Sequence, residues 1–390
     1  MWIFSVFSNF WAVVKVMSTG NFSCAGAALW ALAVLVAPAC VDDPATPSAN
    51  EADVLADAPP DAAPDVAPDV AVDTAPDVEP DLPPPDYGYP LDDVLRLDQL
   101  QGVGTHNSYH LRSEPSFIED WNYSFAPLEV QLGEQGVRQF ELDLHRDAAL
   151  GALRVHHIPF ADEESTCVRF VDCLATLKRW SDANPGHHAL FVFMEAKDDL
   201  DTDKLDGHLG DIDAEILSVW PRRRVLTPDD VQGDHATLRE AVNSAGWPTL
   251  GASRDKIVFV LLDDGRHRDA YAQGQTTLAG RAMFVTADMD SPIAAILSTG
   301  NPGTVAAAHA AHFIVRDKID GTPLAPEEAD GSERDAALAA GIHFVSTDFP
   351  VADPVTGYIV RLADGSPSRC NPVTAPPECT SQAIEALPRP

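Results

Sequence analysis

The segment GVRQFELDLH (136–145) has an apolar strand pattern that is interrupted by two carboxylates, Glu141 and Asp143. Residues two apart on a strand point to the same face, so both carboxylates lie on one face of the predicted strand. Burying two negative charges together costs several kcal/mol unless a cation or another partner neutralises them. The segment therefore predicts a strand that carries part of a cation site, whereas a structural ion pair with Arg138 or Arg146 is the alternative.

Short apolar segments recur on both sides of this one and alternate with helix-like stretches such as DKLDGHLGDIDAEILSVW. Strands and helices that alternate over ~250 residues are typical of a parallel α/β architecture, and about eight strands predict a distorted TIM-type (β/α)8 barrel. Several of the segments end in a polar residue, and the carboxyl ends of barrel strands surround one active site. The predicted strands are LQGVGTH (100–106), VRQFELDLH (137–145), LRVHHI (153–158), ALFVFMEA (189–196), KIVFVLLD (256–263), RAMFVTA (281–287), HFIVRD (312–317) and IHFVSTD (342–348).

Two of these strand ends add oxygen ligands to the first pair. Asn107 follows the first strand in GTHNSYH (104–110), and Glu195 ends another apolar segment, although Glu195 could also pair with Lys197 on the same face. Carboxylate and amide oxygens without cysteine suit Ca²⁺ or Mg²⁺, and Ca²⁺ is the more available ion for an exported protein. The predicted metal ligands are Asn107, Glu141, Asp143 and Glu195.

The N-terminal residues predict export. An apolar run, CAGAALWALAVLVAPA (24–39), ends in small residues immediately before Cys40, as in a signal peptide with its cleavage zone. Ala-Pro-Ala-Cys resembles a bacterial lipoprotein box, in which the cysteine is lipidated, and simple cleavage after Ala39 is the alternative. Residues 1–40 are therefore predicted to be a signal peptide, and we expect the protein at the bacterial cell envelope or among secreted proteins.

Residues 41–90 have the composition of a linker. They contain 13 acidic residues, no Lys or Arg, and 12 of the 32 prolines. Proline favours extended backbone and like charges repel, so this segment predicts a disordered Pro/Asp/Ala-rich tether before a domain at 91–390. The whole chain has a formal net charge of −34, which excludes nucleic acid as a main partner because phosphate binding needs a cationic surface.

Four cysteines remain after the leader and its processing site, namely Cys167, Cys173, Cys370 and Cys379. Cysteines of exported proteins are commonly oxidised to disulfides. We expect two local disulfides, Cys167–Cys173 and Cys370–Cys379, although the sequence permits three pairings.

From about residue 95 to 350 the chain resembles the calcium-dependent phosphoinositide-specific phospholipase C family, whose members are TIM-barrel phosphodiesterases. The order and spacing of several segments carry this resemblance, which makes it more specific than any single motif. These segments are GTHNSYH, GVRQFELDLH, VHHIPFADEESTC, DCLATLKRW, GHHALFVFMEAKDD, LTPDDV, GWPTLGASRDKIVFVLLD and GIHFVSTDFP.

The resemblance also implies the roles of individual residues. His106, at the end of the first strand, corresponds to a catalytic histidine, and the predicted oxygen ligands correspond to the calcium shell. A second catalytic histidine follows the next strand. We assign it to His157 rather than His156 because the family pattern resembles aromatic-His-x-Pro, and Pro159 follows here.

The implied reaction begins with calcium holding the inositol 2-hydroxyl and a phosphate oxygen. Glu141 or Asp143 takes the hydroxyl proton, the hydroxyl attacks the phosphate, and diacylglycerol leaves as a cyclic inositol phosphate forms. One of the two histidines, His106 or His157, stabilises charge on phosphorus, and the other protonates the leaving alkoxide. The cationic residues expected to bind substrate phosphates are Lys197, Lys256 and Arg254.

Two other functions stay open. A glycerophosphodiester phosphodiesterase shares the barrel and the E-x-D strand, but it usually begins with His-Arg-Gly where this chain has His106 followed by Asn-Ser-Tyr. A non-catalytic surface lipoprotein could use the barrel for binding. An acidic domain is repelled by anionic bilayers, so a phospholipid and a soluble inositol or glycerol phosphodiester are both candidate substrates. The membrane would be reached through the lipid anchor or by transient contact.

Overall fold

The computed structural model describes residues 85–116, 118–197, 203–263, 265–325 and 328–385. The predicted signal peptide (1–40) lies outside these residues, as does the predicted linker (41–90) except for its last residues. These last residues contact the barrel domain, because the Arg254 guanidinium lies 3.7 Å from the centre of the Tyr89 ring. Among the described residues, no helix has both the length and the apolar character of a membrane span.

Eight parallel strands form the barrel, in the order β6-β5-β4-β2-β1-β9-β8-β7, and two further strands pair with β1 and β2. A parallel bridge between Thr286 and Ile296 brings the two ends of this order together, which confirms the predicted TIM-type architecture. The ten strands are β1 (Leu100–Thr105), β2 (Val137–Asp147), β3 (Ala152–Val155), β4 (Leu190–Ala196), β5 (Ile257–Leu261), β6 (Met283–Val285), β7 (Ile296–Ser298), β8 (Ile314–Lys318), β9 (Phe344–Thr347) and β10 (Ser368–Cys370).

The barrel strands are apolar on both faces because one face fills the barrel and the other is covered by helices. In β4, the five residues from Leu190 to Met194 are all fully buried. Helix α2 shows the complementary pattern, since Phe170, Leu174 and Leu177 recur at helical spacing and are buried. The helices are α1 (Leu128–Gly133), α2 (Phe170–Ala183), α3 (Leu209–Val219), α4 (Pro228–Gln232), α5 (Leu238–Ala245), α6 (Leu250–Ser253), α7 (Arg266–Tyr271), α8 (Pro302–Ala310), α9 (Ser332–Ala339) and α10 (Ser381–Ile384).

One predicted barrel strand has a different place in the structure. The segment 153–158 was expected to be one of about eight parallel strands, but its strand β3 runs antiparallel to the end of β2. The eighth barrel strand is instead β7, which was not among the predicted strands. The count of eight was therefore correct, but one member of the set was wrong.

The C-terminal residues close the amino end of the barrel. Strand β10 pairs antiparallel with the first half of β1, before β2 joins at Val103. Glu385, which follows α10, forms a fully buried ion pair with Arg138 at 2.7 Å. Both predicted disulfides, Cys167–Cys173 and Cys370–Cys379, are present.

Candidate active site

The polar strand ends converge at the carboxyl end of the barrel. Asp143 on β2 and Glu195 on β4 are direct neighbours in the sheet register, and Glu141 lies two residues earlier on the same face as Asp143. Oxygens of these three carboxylates all lie within 4.8 Å of one another. The predicted cluster of negative charge therefore exists, and three of the four predicted metal ligands meet there.

Two cations partly neutralise this cluster. Arg316 on β8 forms an ion pair with Glu141. Lys197 pairs with Glu195, and its Nζ lies 3.2 Å from Oδ2 of Asp143. Neither cation is Arg138 or Arg146, the partners considered from the sequence, because both lie on the face of β2 opposite to Glu141 and Asp143. Arg138 instead binds Glu385 in the C-terminal segment. The expected pairing of Glu195 with Lys197 is present, so that this lysine is held at the site.

The surroundings shift the ionisation of the carboxylates in different directions. Burial raises the pKa of Asp143 to about 7, against the opposing charge of Lys197. Burial also raises the pKa of Glu141, although Arg316 opposes it. For Glu195, burial alone would raise the pKa, but Lys197 holds it below the usual value. A divalent cation at this position would favour the charged form of all three groups.

Asn107 is held beside this cluster by its neighbour in the chain. The backbone N–H of Ser108 donates to the Glu141 carbonyl at 2.9 Å, and the backbone N–H of Glu141 donates to Oγ of Ser108 at 2.8 Å. Asn107 itself has a φ of 47°, in the left-handed region that asparagine tolerates better than most residues. The tight turn after β1 thus lies directly against β2 at the position of the carboxylates.

The donor set fits a calcium ion. Oδ1 of Asn107 is buried and has no hydrogen-bond partner among the described residues, and Asp143 is buried with the Nζ of Lys197 3.2 Å from its Oδ2. Buried polar atoms almost always have a partner, so an unpaired amide oxygen on the turn against β2, where three carboxylates face two cations, indicates room for a further cation. All candidate ligands are hard oxygen donors, which Ca²⁺ prefers. Asn107, Glu141, Asp143 and Glu195 are the residues that would hold it.

His106 lies between two acidic groups. Its Nδ1 is 3.0 Å from Oδ1 of Asp348, which follows β9, and its Nε2 is 3.8 Å from Oε1 of Glu141. The side chain is 24% exposed, and Lys318 Nζ lies 3.8 Å from the other oxygen of Asp348. Burial, with a contribution from Lys318, lowers the pKa of His106 well below its usual value. The Asp348 carboxylate beside Nδ1 favours, for the neutral ring, the tautomer that carries its hydrogen on Nδ1.

His157 lies on the loop after β3 and differs from its neighbour in exposure. Its side chain is 20% exposed, and Nδ1 is 2.9 Å from Oδ2 of Asp162. His156 is buried, and its ring stacks on His145 with centroids 3.7 Å apart. The structure therefore leaves His157, rather than His156, open to a bound molecule.

Tyr123 lies between Asn107 and the pair of His110 and His157. Burial raises the pKa of its hydroxyl, although the Asn107 side chain acts to lower it, and its ring stacks on His110 at a centroid distance of 4.3 Å. His110 in turn shares Asp162 with His157. The turn that carries Asn107 and the loop that carries His157 are thus joined through Tyr123, His110 and Asp162.

Two of the three predicted phosphate-binding cations lie elsewhere. Lys256 and Arg254 precede β5, so they lie at the amino end of the barrel, opposite the site. Arg254 is buried there, 2.6 Å from Asp92, and also donates to the carbonyl of Gly186. This position does not fit the predicted contact with substrate, and only Lys197 of the three is at the site.

Several residues at the site were given no role by the sequence analysis. Arg316 and Lys318 belong to β8, where they alternate with a residue facing away, and Asp348 ends a predicted strand in GIHFVSTDFP. The strand-end position of Asp348 was a usable signal. The arginine, the lysine and Asp162 had no such signal, because their partners are distant in the chain or lie in a loop.

Comparison with known proteins identifies the family of the chain. The family model described as phosphoinositide phospholipase C, Ca²⁺-dependent, matches residues 95–154 and 150–372. A search of curated proteins finds no match.

Solved structures that are similar to the chain include two bacterial phospholipases C. A Ca²⁺-dependent phosphatidylinositol-specific phospholipase C from Streptomyces antibioticus is 22% identical, with 68% of this chain and 97% of that chain covered and a TM-score of 0.49. A calcium-dependent phosphoinositol-specific phospholipase C from a Gram-negative Pseudomonas species is 19% identical, with 72% and 97% covered and a TM-score of 0.49. Since the family model covers well over half of the sequence, the chain belongs to the calcium-dependent phosphoinositide phospholipase C family of phosphodiesterases.

Proposed function

We propose that the protein cleaves phosphatidylinositol by transfer of the phosphate to the inositol 2-hydroxyl, which releases diacylglycerol and a cyclic inositol phosphate. One observation carries the proposal: the cluster of Glu141, Asp143 and Glu195 lies against the pair formed by His106 and Asp348. Calcium, when bound, supplies a Lewis acid that acidifies the hydroxyl and offsets charge on the phosphate. A proton acceptor then stands directly beside the metal ligands.

His106 is the best-placed proton acceptor. Because Asp348 holds the proton on Nδ1, Nε2 presents its lone pair toward Glu141 and the space beside it. Nε2 takes the proton of the 2-hydroxyl as its oxygen attacks phosphorus, and Asp348 stabilises the imidazolium that results. The sequence predicted Glu141 or Asp143 for this role, but Glu141 is tied to Arg316 and Asp143 to Lys197, and both serve better as metal ligands.

His157 completes the reaction on the leaving-group side. Its imidazolium donates a proton from Nε2 to the diacylglycerol oxygen as the bond from that oxygen to phosphorus breaks. Lys197, held at the rim by Glu195, provides positive charge for the substrate phosphate. A later attack by water on the cyclic phosphate, with the two histidines exchanging roles, gives inositol phosphate.

The proposal includes transient contact with a lipid surface. Phe160 is 89% exposed, has a φ of 65°, and lies at the tip of a turn closed by the Asp162 N–H donating to the Ile158 carbonyl at 2.9 Å. An exposed phenylalanine gains free energy by entering an apolar phase. Its place three residues after His157 supports a role in bringing the site to a membrane.

The proposal also includes export and anchoring. The apolar run at 24–39 ends at Cys40, and the acidic, proline-rich residues 41–90 have the composition of a spacer between an anchor and the barrel. If Cys40 is lipidated, Cys40→Ala will shift the protein from the membrane fraction to the soluble fraction. Mass spectrometry of the mature N-terminus distinguishes lipidation from simple cleavage after Ala39.

The reaction is tested with the purified protein, offered phosphatidylinositol or glycerophosphoinositol with calcium or with excess chelator. Phosphorus NMR should show a cyclic inositol phosphate that depends on calcium and is lost in His106→Ala. His208→Ala is the matched control, because His208 is an exposed histidine outside the site. Glycerol phosphate as the only product would favour the glycerophosphodiester reaction, and no product from either substrate would favour a binding protein.

A further inference from the structure

A single buried carboxylate, Asp162, joins the two histidines of the loop region. Its Oδ2 is 2.9 Å from Nδ1 of His157 and 2.8 Å from Nε2 of His110, and its Oδ1 accepts from Oγ of Ser113 at 3.1 Å. Asp162 is 1% exposed and His110 is fully buried. The carboxylate therefore has a fixed position, with one partner inside the protein and one at the site.

The hydrogen-bond partners of His110 define where the protons are. Nδ1 of His110 is 3.1 Å from the carbonyl oxygen of Tyr123, which can only accept, so Nδ1 carries a hydrogen. Nε2 faces Asp162, which also requires a proton between the two atoms. The pair of His110 and Asp162 therefore holds one proton beyond a neutral histidine and a carboxylate, and its net charge is zero.

Asp162 is ionised within this pair. Burial alone would raise its pKa, but hydrogen bonds from His110 and His157 hold the pKa of Asp162 at about 2. An ionised carboxylate can only accept, so Nδ1 of His157 must donate to it. In a neutral histidine only one ring nitrogen carries a hydrogen, so the partner that fixes the hydrogen on Nδ1 leaves Nε2 as the acceptor.

We infer that Asp162, neutralised by the buried His110, is the positioning residue for His157: it holds the proton on Nδ1 and leaves Nε2 to exchange a proton with the leaving group. This inference rests on the proposed function for the role of His157. Trp121 supports the same orientation, because its ring meets that of His157 edge-on at a centroid distance of 5.5 Å.

The same residues also have structural contacts, which the test must separate. The backbone N–H of His157 donates to the Asp162 carbonyl at 3.2 Å, and that of Leu111 donates to the Glu164 carbonyl at 3.1 Å. Because the Asp162 carboxylate also holds the buried His110 and Ser113, a variant at Asp162 affects loop stability as well as the ring of His157. The readout must respond to proton donation and not to folding alone.

Dependence on the leaving group provides this readout. An alkoxide leaving group such as diacylglycerol needs a proton donor, whereas a nitrophenolate does not. Asp162→Asn should lower kcat on phosphatidylinositol in detergent micelles by about 10²-fold and change the rate on inositol nitrophenyl phosphate by less than about fivefold. His157→Ala should show the same selectivity, and the double variant should lose little more than either single variant.

Ser113→Ala is the matched control, because it removes a contact to Oδ1 of Asp162 and leaves Oδ2 with its two histidines. It should retain near wild-type rates on both substrates. An equal loss on both substrates in Asp162→Asn would overturn the inference. If Asp162→Asn does not fold, His110→Gln is compared instead, and it should show a smaller loss with the same dependence on the leaving group.

A second measurement uses the wild-type protein. Nitrogen-15 NMR of the histidine rings, assigned with His157→Ala and followed over a pH series, should show that the neutral form of His157 carries its hydrogen on Nδ1. A hydrogen on Nε2 would contradict the inference. If the wild-type protein turns over neither substrate, the proposed function fails, while this NMR result still decides whether Asp162 orients His157.

Discussion

Asp348 Oδ1 lies 3.0 Å from Nδ1 of His106, although 242 residues separate the two in the chain. The parallel pairing of β1 with β9 brings them together, because Thr105 and Thr347, the residues before them, are paired in the sheet. A carboxylate on Nδ1 selects the tautomer with a free Nε2 and stabilises the protonated ring. The barrel closure therefore creates the proton acceptor that we propose for the reaction.

Asp348→Asn should lower kcat on phosphatidylinositol by about 10²- to 10⁴-fold, because an amide no longer favours this tautomer or the imidazolium. KM should change much less, since Asp348 is not expected to contact the substrate. Steady-state kinetics in detergent micelles provide the measurement. Asp320→Asn is a useful comparison, since Asp320 lies beside Asp348 and binds its backbone N–H without contacting His106. Full activity in Asp348→Asn would contradict the proposed role.

Asp143→Asn should weaken calcium binding by at least about tenfold, because it removes a charged donor from the cluster. Calorimetric titration of the purified protein with calcium measures this directly. Thermal unfolding is an independent readout, because an ion that binds only the folded state raises the unfolding temperature. Asp263→Asn changes another strand-end carboxylate, which caps α7, and should leave the calcium response intact. Equal calcium affinity in wild type and Asp143→Asn would remove Asp143 from the ligand set.

Phe160→Ser should reduce turnover of phosphatidylinositol in vesicles by about tenfold, since about 1.5 kcal/mol or more is lost when a phenylalanine no longer enters an apolar phase. Turnover of a short-chain monomeric substrate should be unchanged. Val373→Ser is the control, because this exposed valine follows β10, which pairs with the first half of β1 away from the active site. An equal effect on both substrate forms would instead indicate a local role at the active site.

Acid should destabilise the fold through the buried group of Arg138, His188 and Glu385. Burial alone would raise the pKa of Glu385, but Arg138 holds it at about 2, below the usual value of 4.5. The unfolded chain therefore binds this proton first as pH falls, and the stabilisation present above about pH 4.5 is lost progressively toward pH 2.

His188 acts in the same direction over a higher range. Burial lowers its pKa from 6.5 to about 3, so the unfolded state takes up a proton below about pH 6.5 while the folded state stays neutral. Urea unfolding between pH 7 and pH 3 should show a falling free energy of unfolding. Glu385→Gln should cost about 3–5 kcal/mol at pH 7 by leaving Arg138 without its partner, and should flatten the dependence below pH 4.5. An unchanged slope would exclude Glu385 as its source.

Local patterns in the sequence were sufficient to predict most of the barrel strands and the carboxylate ligands of the site. Apolar strands such as β4 are buried on both faces and so have a continuous apolar pattern, and Glu141 with Asp143 shows its common face through a spacing of two. The short β7 could not be found in this way, and β3 could not be distinguished from a barrel strand, because pairing direction depends on residues elsewhere in the chain.

What the sequence by itself determined is a parallel barrel with oxygen ligands at its strand ends, since side-chain alternation and strand polarity are local properties. Only the tertiary structure decided which charges are partners. It pairs Arg316 with Glu141, Asp348 with His106, and Asp162 with His157. It also shows that Arg254 and Lys256 lie at the amino end of the barrel, opposite the site. Such pairings depend on barrel closure and loop packing, which bring together atoms that no spacing along the chain relates.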